Sequence, residues 1–283
     1  AGGINTTVNS LYSTEDLIHQ FTDSKAKYLL TIPAFLDRAL PAAKACGIEE
    51  IFILGEAPEG TTPFVDLLAN EGNAPSVEID PQKDLVALPY SSGTTGLSKG
   101  VMLTHANLIA NMVISAELNT TDDTDCTVGV LPFFHIYGMV LILNLAIYRG
   151  TKLVTMPRFD LEQFLQIVQE HKVTVLSLVP PIIIALAKHP IVDNYDVSSV
   201  RTIGSGAAPL GEELEQACAA RLGCEIYQGF GLTEVAGASH VNSALTGVIK
   251  PGSVGPVIPN TESKIIDIET GAELGANEKG EIQ

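Results

Sequence analysis

Along most of the chain, segments with the apolar pattern of a strand alternate with segments that have the apolar periodicity of a helix. Short segments typical of strands, most of them apolar runs, occur at 28–32, 51–54, 85–89, 127–131, 174–179, 200–203 and 225–227. Helical periodicity occurs between them, at 13–21, 35–46, 104–116, 160–168, 182–187 and 212–221. This alternation predicts an α/β fold with stacked mixed or parallel sheets that are flanked by helices.

Helix starts and stops are marked by capping residues. Ser13 opens the first helix with Asp16 three residues on, and Asp160 stands in the same relation to Gln163. Gly223 closes the helix at 212–221. Glycines, prolines and short alternating runs follow Gly252, which predicts a β-rich tail.

Composition and charge exclude several classes of protein. Hydrophobic residues make up 46% of the 283 residues and charged residues 17%, which indicates a globular chain with a large core. The formal charge of −17 has the wrong sign for a nucleic-acid or anionic-membrane surface. No apolar run reaches the length of a membrane helix, and no signal peptide is visible. We expect a cytoplasmic protein, with a peroxisomal location as the alternative, and the oligomeric state stays open.

The four cysteines give no sign of a metal site. Cys46, Cys126, Cys218 and Cys224 form no C-x-x-C pair and have no histidine cluster at zinc spacing. Core thiols in a reducing compartment are the favoured interpretation.

The stretch 90–100 has the chemistry of a phosphate-binding loop. It lies between two apolar segments and ends in Lys99, whose ammonium suits phosphate. Its other phosphate donors are hydroxyls and glycine-flanked backbone N–H groups, from Ser91, Ser92, Gly93, Thr94, Thr95 and Gly96. The glycine spacing and the place of the lysine differ from G-x-x-x-x-G-K-[ST], so an ordinary P-loop is disfavoured. The alternative is a solvated surface loop.

The stretch 228–234 is the second strongest signal. Gly229 and Gly231 bracket Phe230, which suits an aromatic ring for stacking on a purine. Thr233 offers a hydroxyl to phosphate, and Glu234 offers a hard oxygen ligand to Mg²⁺. The alternative is a glycine-rich turn with an incidental glutamate.

Two further stretches are ambiguous on their own. The run 204–206 resembles the start of a dinucleotide-binding loop, but Pro209 takes the place of the third glycine, and the serine-hydrolase elbow is lacking. An ordinary turn is the alternative.

His135 lies among apolar residues, where a histidine is more often a core residue than a catalyst.

Several motifs in order resemble those of one enzyme superfamily. The stretches 91–100, 131–137, 205–210, 228–234 and 280–282 look like the motifs of the adenylate-forming enzymes. These include acyl-CoA synthetases, 4-coumarate–CoA ligases and beetle luciferases. The resemblance covers essentially the whole chain and is strongest to the 4-coumarate–CoA ligase branch.

The resemblance implies ATP-dependent activation of a carboxylic acid to an acyl-adenylate, followed by thioester formation with CoA. It implies catalytic roles for Lys99, His135, Thr233 and Glu234, with Glu234 as the Mg²⁺ ligand. ATP would be bound by Ser91, Ser92, Gly93, Thr94, Thr95, Gly96, Lys99, Gln228, Gly229, Phe230, Gly231 and Thr233. The acyl group would contact His135, Tyr137, Ala207, Ala208 and Val241, and Arg158 would lie near CoA.

Similar ligases have a large N-terminal and a small C-terminal domain. We therefore expect residues 1–283 to form part of the adenylation domain, with the phosphate loop at 90–100 and a β-rich subdomain starting near 252–283. We expect the small domain, with its second catalytic lysine, to lie outside this chain, and the chain alone to be weakly active. The alternatives are a luciferase-like or peptide-synthetase-like adenylating enzyme, or a module that binds nucleotide or acyl ligand without turnover.

Overall fold

The computed structural model describes residues 2–69, 72, 75–91, 97–119, 121–243, 245 and 250–283. The chain divides into two compact units. The first consists of Ala1–Ala110 and Pro132–Met139, and the second of Asn111–Leu131 and Val140–Gln283. In the described part of the chain, no helix combines the length and the apolar character that crossing a membrane requires.

The first unit is built from short strands and helices. Its strands are β1 (Tyr28–Thr31), β2 (Glu50–Ile53), β3 (Thr62–Pro63), β4 (Leu85–Ala87), β5 (Tyr90–Ser91), β6 (Lys99–Gly100) and β7 (Leu103–Thr104). Its helices are α1 (Thr14–Ser24), α2 (Leu36–Cys46), α3 (Phe64–Leu68) and the first turns of α4 (His105–Glu117), with a 3-10 turn at Pro33–Phe35. Strands β1, β2 and β3 form a parallel sheet, whereas β4–β7 and β5–β6 are antiparallel pairs.

Helix α1 anchors the first unit. Ser13 and Asp16 form the capping box that the sequence predicts, because each side chain bonds the backbone N–H of the other residue. Leu17 and Phe21 on α1 pack with Ala42 on α2 to form a small core. Helix α2 continues through Pro41, although a proline inside a helix removes one backbone hydrogen bond.

The second unit contains the larger sheet. Its strands are β8 (Cys126–Gly129), β9 (Lys152–Thr155), β10 (Val175–Leu178), β11 (Thr202–Ser205), β12 (Glu225–Leu232), β13 (Gly237–Val241), β14 (Ile265–Ile266) and β15 (Glu281–Ile282). Its helices are the rest of α4, α5 (Leu145–Arg149), α6 (Leu161–His171), α7 (Pro180–Lys188) and α8 (Glu212–Leu222). A π-helix covers Tyr137–Asn144, of which residues 140–144 belong to this unit, and 3-10 turns cover Pro190–Asn194 and Thr233–Val235.

The central sheet of the second unit has the order β10–β11–β12–β13. Its first three strands are parallel, and β13 runs antiparallel to β12. The Thr174 N–H donates to the Cys126 carbonyl, which joins the start of β8 to the residue that precedes β10. The strands and helices α6, α7 and α8 enclose one core, whose most buried members include Val128, Phe164, Leu165, Leu176, Leu178, Ile183, Leu186 and Ile203.

The fold class is confirmed, and the main difference from the expected elements lies at β12. The sequence predicts a strand over 225–227 that delivers a glycine-rich loop. In the structure the strand continues to Leu232, because its second half pairs with β13. The predicted β-rich tail contains one two-residue antiparallel pair, β14 with β15.

Candidate active site

The base of the predicted phosphate loop is a short antiparallel ladder in the first unit. Strands β5 and β6 pair Tyr90 with Gly100 and Ser91 with Lys99. The Lys99 side chain is exposed, as a residue that meets a soluble anion must be. The other predicted loop residues, Ser92, Gly93, Thr94, Thr95 and Gly96, lie outside the described residues.

Helix α1 holds both strands of this ladder. His19 Nε2 lies 2.8 Å from the Ser98 carbonyl oxygen, immediately before Lys99. On the other strand, the Tyr90 hydroxyl donates to Asp23 Oδ2 at 2.6 Å. Partial burial, followed by this hydrogen bond to Asp23, raises the pKa of Tyr90 well above its usual range, so the phenol stays protonated. The Tyr90 ring also packs on Gly100, where an added Cβ would lie 3.2 Å from it.

His135 is fixed in the first unit by backbone contacts on both sides. Thr7 Oγ1 donates to the Phe134 carbonyl at 2.8 Å, and the Tyr137 N–H donates to His135 Nδ1 at 3.2 Å. Because Nδ1 accepts a hydrogen bond, the proton of the neutral imidazole lies on Nε2. Desolvation lowers the pKa of His135, which favours this neutral form. His135 keeps an exposed edge and Tyr137 is half-buried.

Two of the predicted motifs meet in the second unit, where the parallel pairing of β11 with β12 ends. Strand β11 ends at Ser205, which pairs with Gln228 on β12. The turn 206–209 leaves β11 here, and the stretch 229–234 continues from β12. The carboxyl ends of neighbouring parallel strands are where open α/β sheets bind ligands.

The Gln228 side chain points into the protein and is 2% exposed. Its Oε1 accepts from the Leu210 N–H at 3.0 Å, and its Nε2 donates to the Leu210 carbonyl at 2.9 Å. Nε2 also donates to Glu215 Oε2 at 2.6 Å. These bonds fix the end of the 206–209 turn against β12.

The pairing of β12 with β13 shapes the stretch that contains Phe230. The register shifts between Phe230 and Gly231, and a Cβ at Gly231 would overlap the Gly237 carbonyl. Gly231 is therefore required by packing. The Phe230 ring lies edge-on to His240 with centroids 6.0 Å apart, and burial lowers the pKa of His240.

Asn111 on α4 holds the turn that carries Thr233 and Glu234. Its Nδ2 donates to the carbonyls of Ala238 at 2.7 Å and of Val235 at 3.1 Å, and its Oδ1 accepts from the Ala238 N–H at 3.1 Å. Glu234 is exposed at the start of this turn, whereas Thr233 is buried.

The remaining predicted residues lie in the second unit with different exposures. Ala207 adopts a left-handed φ of 68°, and both Ala207 and Ala208 are exposed at the turn after β11. Val241 is buried at the end of β13, and Arg158 is exposed between β9 and α6. Of the predicted residues, Lys99, His135 and Tyr137 belong to the first unit.

Several residues that shape the site were not predicted from the sequence: His19, Asn111, Ser205 and Glu215. Ser205 is 3% exposed, and its Oγ has no hydrogen-bond partner in the described part of the chain. Its place in the 205–210 motif was a signal for it. The other three lie on helices outside the motifs, and their roles follow from tertiary contacts.

Comparison with known proteins identifies the family. The family model described as AMP-binding enzyme matches residues 1–283. The chain belongs to the AMP-binding enzyme family. The resemblance of its motifs to those of adenylate-forming enzymes is thereby confirmed.

Several known proteins are similar to this one over nearly the whole chain. 4-Coumarate–CoA ligase 1 of Solanum tuberosum is 41% identical, over 99% of this chain and 53% of its own length. The structure of ATP-bound MatB from Rhodopseudomonas palustris matches with a TM-score of 0.87 at 29% identity, over 100% of this chain and 55% of MatB. A long-chain-fatty-acid–CoA ligase from Archaeoglobus fulgidus matches with a TM-score of 0.85 at 28% identity, over 98% of this chain and 56% of the ligase. The chain thus spans about half the length of these proteins.

Proposed function

We propose that the protein activates a carboxylic acid with ATP and, in the whole enzyme, transfers the acyl group to CoA. The observation that carries this proposal is the pairing of Ser205 with Gln228, which brings together the two motifs that we predict to bind nucleotide. Similarity to 4-coumarate–CoA ligases supports the reaction class. The chain would form part of the adenylation domain of such an enzyme.

In the first step, a carboxylate oxygen attacks the α-phosphorus of ATP. The bond from that phosphorus to the bridging oxygen breaks, and pyrophosphate leaves with the bonding electrons. Two anions must approach, so cationic groups and N–H donors are needed to offset their repulsion. We assign this role to Lys99 and to the loop 91–96. In the second step, the CoA thiolate attacks the acyl carbon and AMP leaves, with Arg158 as a candidate contact to CoA.

The nucleotide base would bind in the second unit. We assign stacking on adenine to Phe230, with Gly229 and Gly231 allowing close approach of the backbone. Ser205 supports a ligand at this place, because a buried hydroxyl without a partner in the described residues is costly unless a ligand satisfies it. Thr233 would contact phosphate, and Gln228 would contribute through its position in β12.

Magnesium fits Glu234. Mg²⁺ is usually held by one or two carboxylates together with substrate phosphates, and Glu234 is an exposed carboxylate on a turn fixed by Asn111. No cluster of three or more histidine, cysteine or acidic residues suited to a metal occurs within the described ranges, so a cage made by protein alone is not indicated there. When bound, the ion would neutralise charge on the phosphates.

The acyl group would be aromatic or a medium-length aliphatic chain. The residues assigned to it are Tyr137, Ala207, Ala208 and Val241, together with His135, and they are mostly apolar. Contacts with apolar side chains disfavour a charged or sugar acid, whose polar groups would lose their hydration. With its proton on Nε2, neutral His135 would donate to the acyl carboxylate and orient it.

A single-turnover reaction with Mg-ATP and a panel of acids tests the proposal. The panel contains 4-coumarate, benzoate, octanoate and glycine, and mass spectrometry detects acyl-AMP and, after CoA is added, acyl-CoA. We expect acyl-AMP from the aromatic or aliphatic acids. Binding of ATP without acyl-AMP from any acid would favour the second candidate, a nucleotide-binding module without turnover. Acyl-AMP that does not react with CoA would favour a luciferase-like or peptide-synthetase-like enzyme.

A further inference from the structure

Glu215 is a buried carboxylate that the proposed reaction does not use. It lies on the inner face of α8 and is 3% exposed. Its Oε2 accepts from Gln228 Nε2 at 2.6 Å and from the Gly252 N–H at 3.2 Å. One carboxylate oxygen therefore joins three segments of the second unit: α8, β12 and the chain that follows residue 250.

Glu215 also determines the orientation of the Gln228 side-chain amide. Glu215 Oε2 accepts a hydrogen bond from Gln228 Nε2, so the NH₂ end of Gln228 faces Glu215. The carbonyl end is then turned to the Leu210 N–H, which donates to it at 3.0 Å. With the amide reversed, oxygen would face the carboxylate, and the bond to the Leu210 N–H would be lost. Glu215 thus sets the hydrogen bonds that hold the end of the 206–209 turn.

The neighbouring residues tie this arrangement to the proposed nucleotide site. Leu210 ends the turn that presents Ala207 and Ala208, and Gln228 lies two residues before Phe230 on β12. Ser205, the cross-strand partner of Gln228, carries a buried hydroxyl without a partner in the described residues. The side chain of Gln228 thus holds the turn, whereas the Ser205 hydroxyl bonds no group among the described residues.

We infer that Glu215 is a positioning residue for the nucleotide base, acting through Gln228 and Leu210. This inference rests on the proposed function, because it takes the 206–209 turn and Phe230 as the two sides of the adenine site. A core made for stability alone is served as well by apolar side chains, which avoid the cost of burying a charge. The directional bonds instead fix the distance between the turn and β12.

Binding of two ligands to variants of the intact chain tests this inference. ATP and inorganic tripolyphosphate share the phosphate chain, and only ATP carries the base. Glu215→Ala should raise the Kd of ATP about tenfold, since a buried amide loses its acceptor, and should leave the Kd of tripolyphosphate within about twofold. Glu215→Gln keeps an acceptor oxygen and should bind ATP within about threefold of wild type. Glu213→Ala, at an exposed position on the same helix, is the matched control and should bind both ligands as wild type does.

The outcomes separate this inference from the proposed function. If the wild-type chain does not bind ATP, the proposed function fails. If the wild type binds ATP and a folded Glu215→Ala variant binds it equally well, the positioning role alone is wrong. An equal loss for both ligands would also overturn it, because the effect would not be specific for the base. If Glu215→Ala does not fold, Gln228→Met carries the same test, with the same selective loss of ATP expected.

Discussion

His19 Nε2 lies 2.8 Å from the carbonyl oxygen of Ser98, which directly precedes Lys99. A carbonyl can only accept, so the imidazole donates this bond from a protonated Nε2. Tyr90 on the opposite strand donates to Asp23 of α1, so α1 holds both strands of the ladder at the base of the predicted phosphate loop. The position of the Lys99 ammonium therefore depends on a helix that lies far from it in sequence.

Removing the His19 contact should weaken phosphate binding without unfolding the protein. His19→Ala should raise the Kd of ATP and of tripolyphosphate about fivefold each, which corresponds to about 1 kcal/mol for one hydrogen bond. His19→Gln keeps a donor and should restore much of the affinity. Calorimetry measures both ligands, and His171→Ala in the second unit is the control. Unchanged affinity for both ligands in a folded His19→Ala variant would contradict this prediction.

The rate of acyl-adenylate formation should decrease at low pH because His135 becomes protonated. Neutral His135 accepts the Tyr137 N–H at Nδ1, and protonation ends that bond. Because desolvation lowers the pKa of His135, the rate should fall only below pH 6.5, the ordinary value for histidine. Single-turnover rates across pH measure this decrease. This decrease in rate should be absent in His135→Asn and present in the control variant His171→Asn. The same decrease in His135→Asn would show that another group titrates.

Gly231 should not tolerate a methyl group, whereas Gly211 should. A Cβ at Gly231 would overlap the Gly237 carbonyl, but a Cβ at Gly211 would meet no atom within 4 Å. Gly231→Ala should therefore lower the free energy of unfolding by about 1–3 kcal/mol, as overpacking does, and weaken ATP binding. Urea denaturation compares the two variants. Equal stabilities would mean that the turn between β12 and β13 moves freely to make room.

Asp125 should make the stability of the second unit decrease at low pH. Burial raises its pKa, but hydrogen bonds from Thr174 and Arg201 lower it more, so the net pKa lies below 3.8. The folded-state pKa is depressed, so the stabilisation is present above 3.8 and is lost as pH falls through the folded pKa. The Arg201 Nη2 lies 2.6 Å from Asp125 Oδ2, and Thr174 Oγ1 donates to Oδ1 at 2.6 Å.

Asp125→Asn tests this dependence. At about pH 7 the variant should unfold with about 1–3 kcal/mol less free energy than wild type, and this difference should narrow below about pH 4. Asp123→Asn, at an exposed position two residues away, is the control and should match wild type at both values. A difference that stays constant with pH would mean that the charge of Asp125 contributes nothing.

Local signals in the sequence were sufficient for much of the fold. The caps at Ser13 and Asp160 form as predicted, because a cap depends on residues three positions apart. Helix α8 ends at Gly223 in a left-handed conformation, as predicted. Helix α7 begins at Pro180, two residues before the predicted start, since proline is accepted in the first turn of a helix.

Features that depend on distant partners could not be predicted in this way. Strand β12 extends to Leu232 only because β13 pairs with it. Motif residues were found from their type and spacing, but the inward direction of Gln228 depends on Glu215 and Leu210. The supporting residues His19 and Asn111 resemble ordinary helix residues in the sequence. Their roles follow from tertiary contacts, which spacing does not reveal.

Calorimetric titration of Mg-ATP and of tripolyphosphate into three forms of the chain tests the central claim most directly. Lys99→Ala should weaken the binding of both ligands by about 1.5–3 kcal/mol, the free energy of a charge-assisted hydrogen bond to phosphate. Phe230→Ala should weaken ATP and leave tripolyphosphate unchanged, because only ATP carries a base to stack. ATP affinities that match wild type in both variants would contradict the assignment of the nucleotide site.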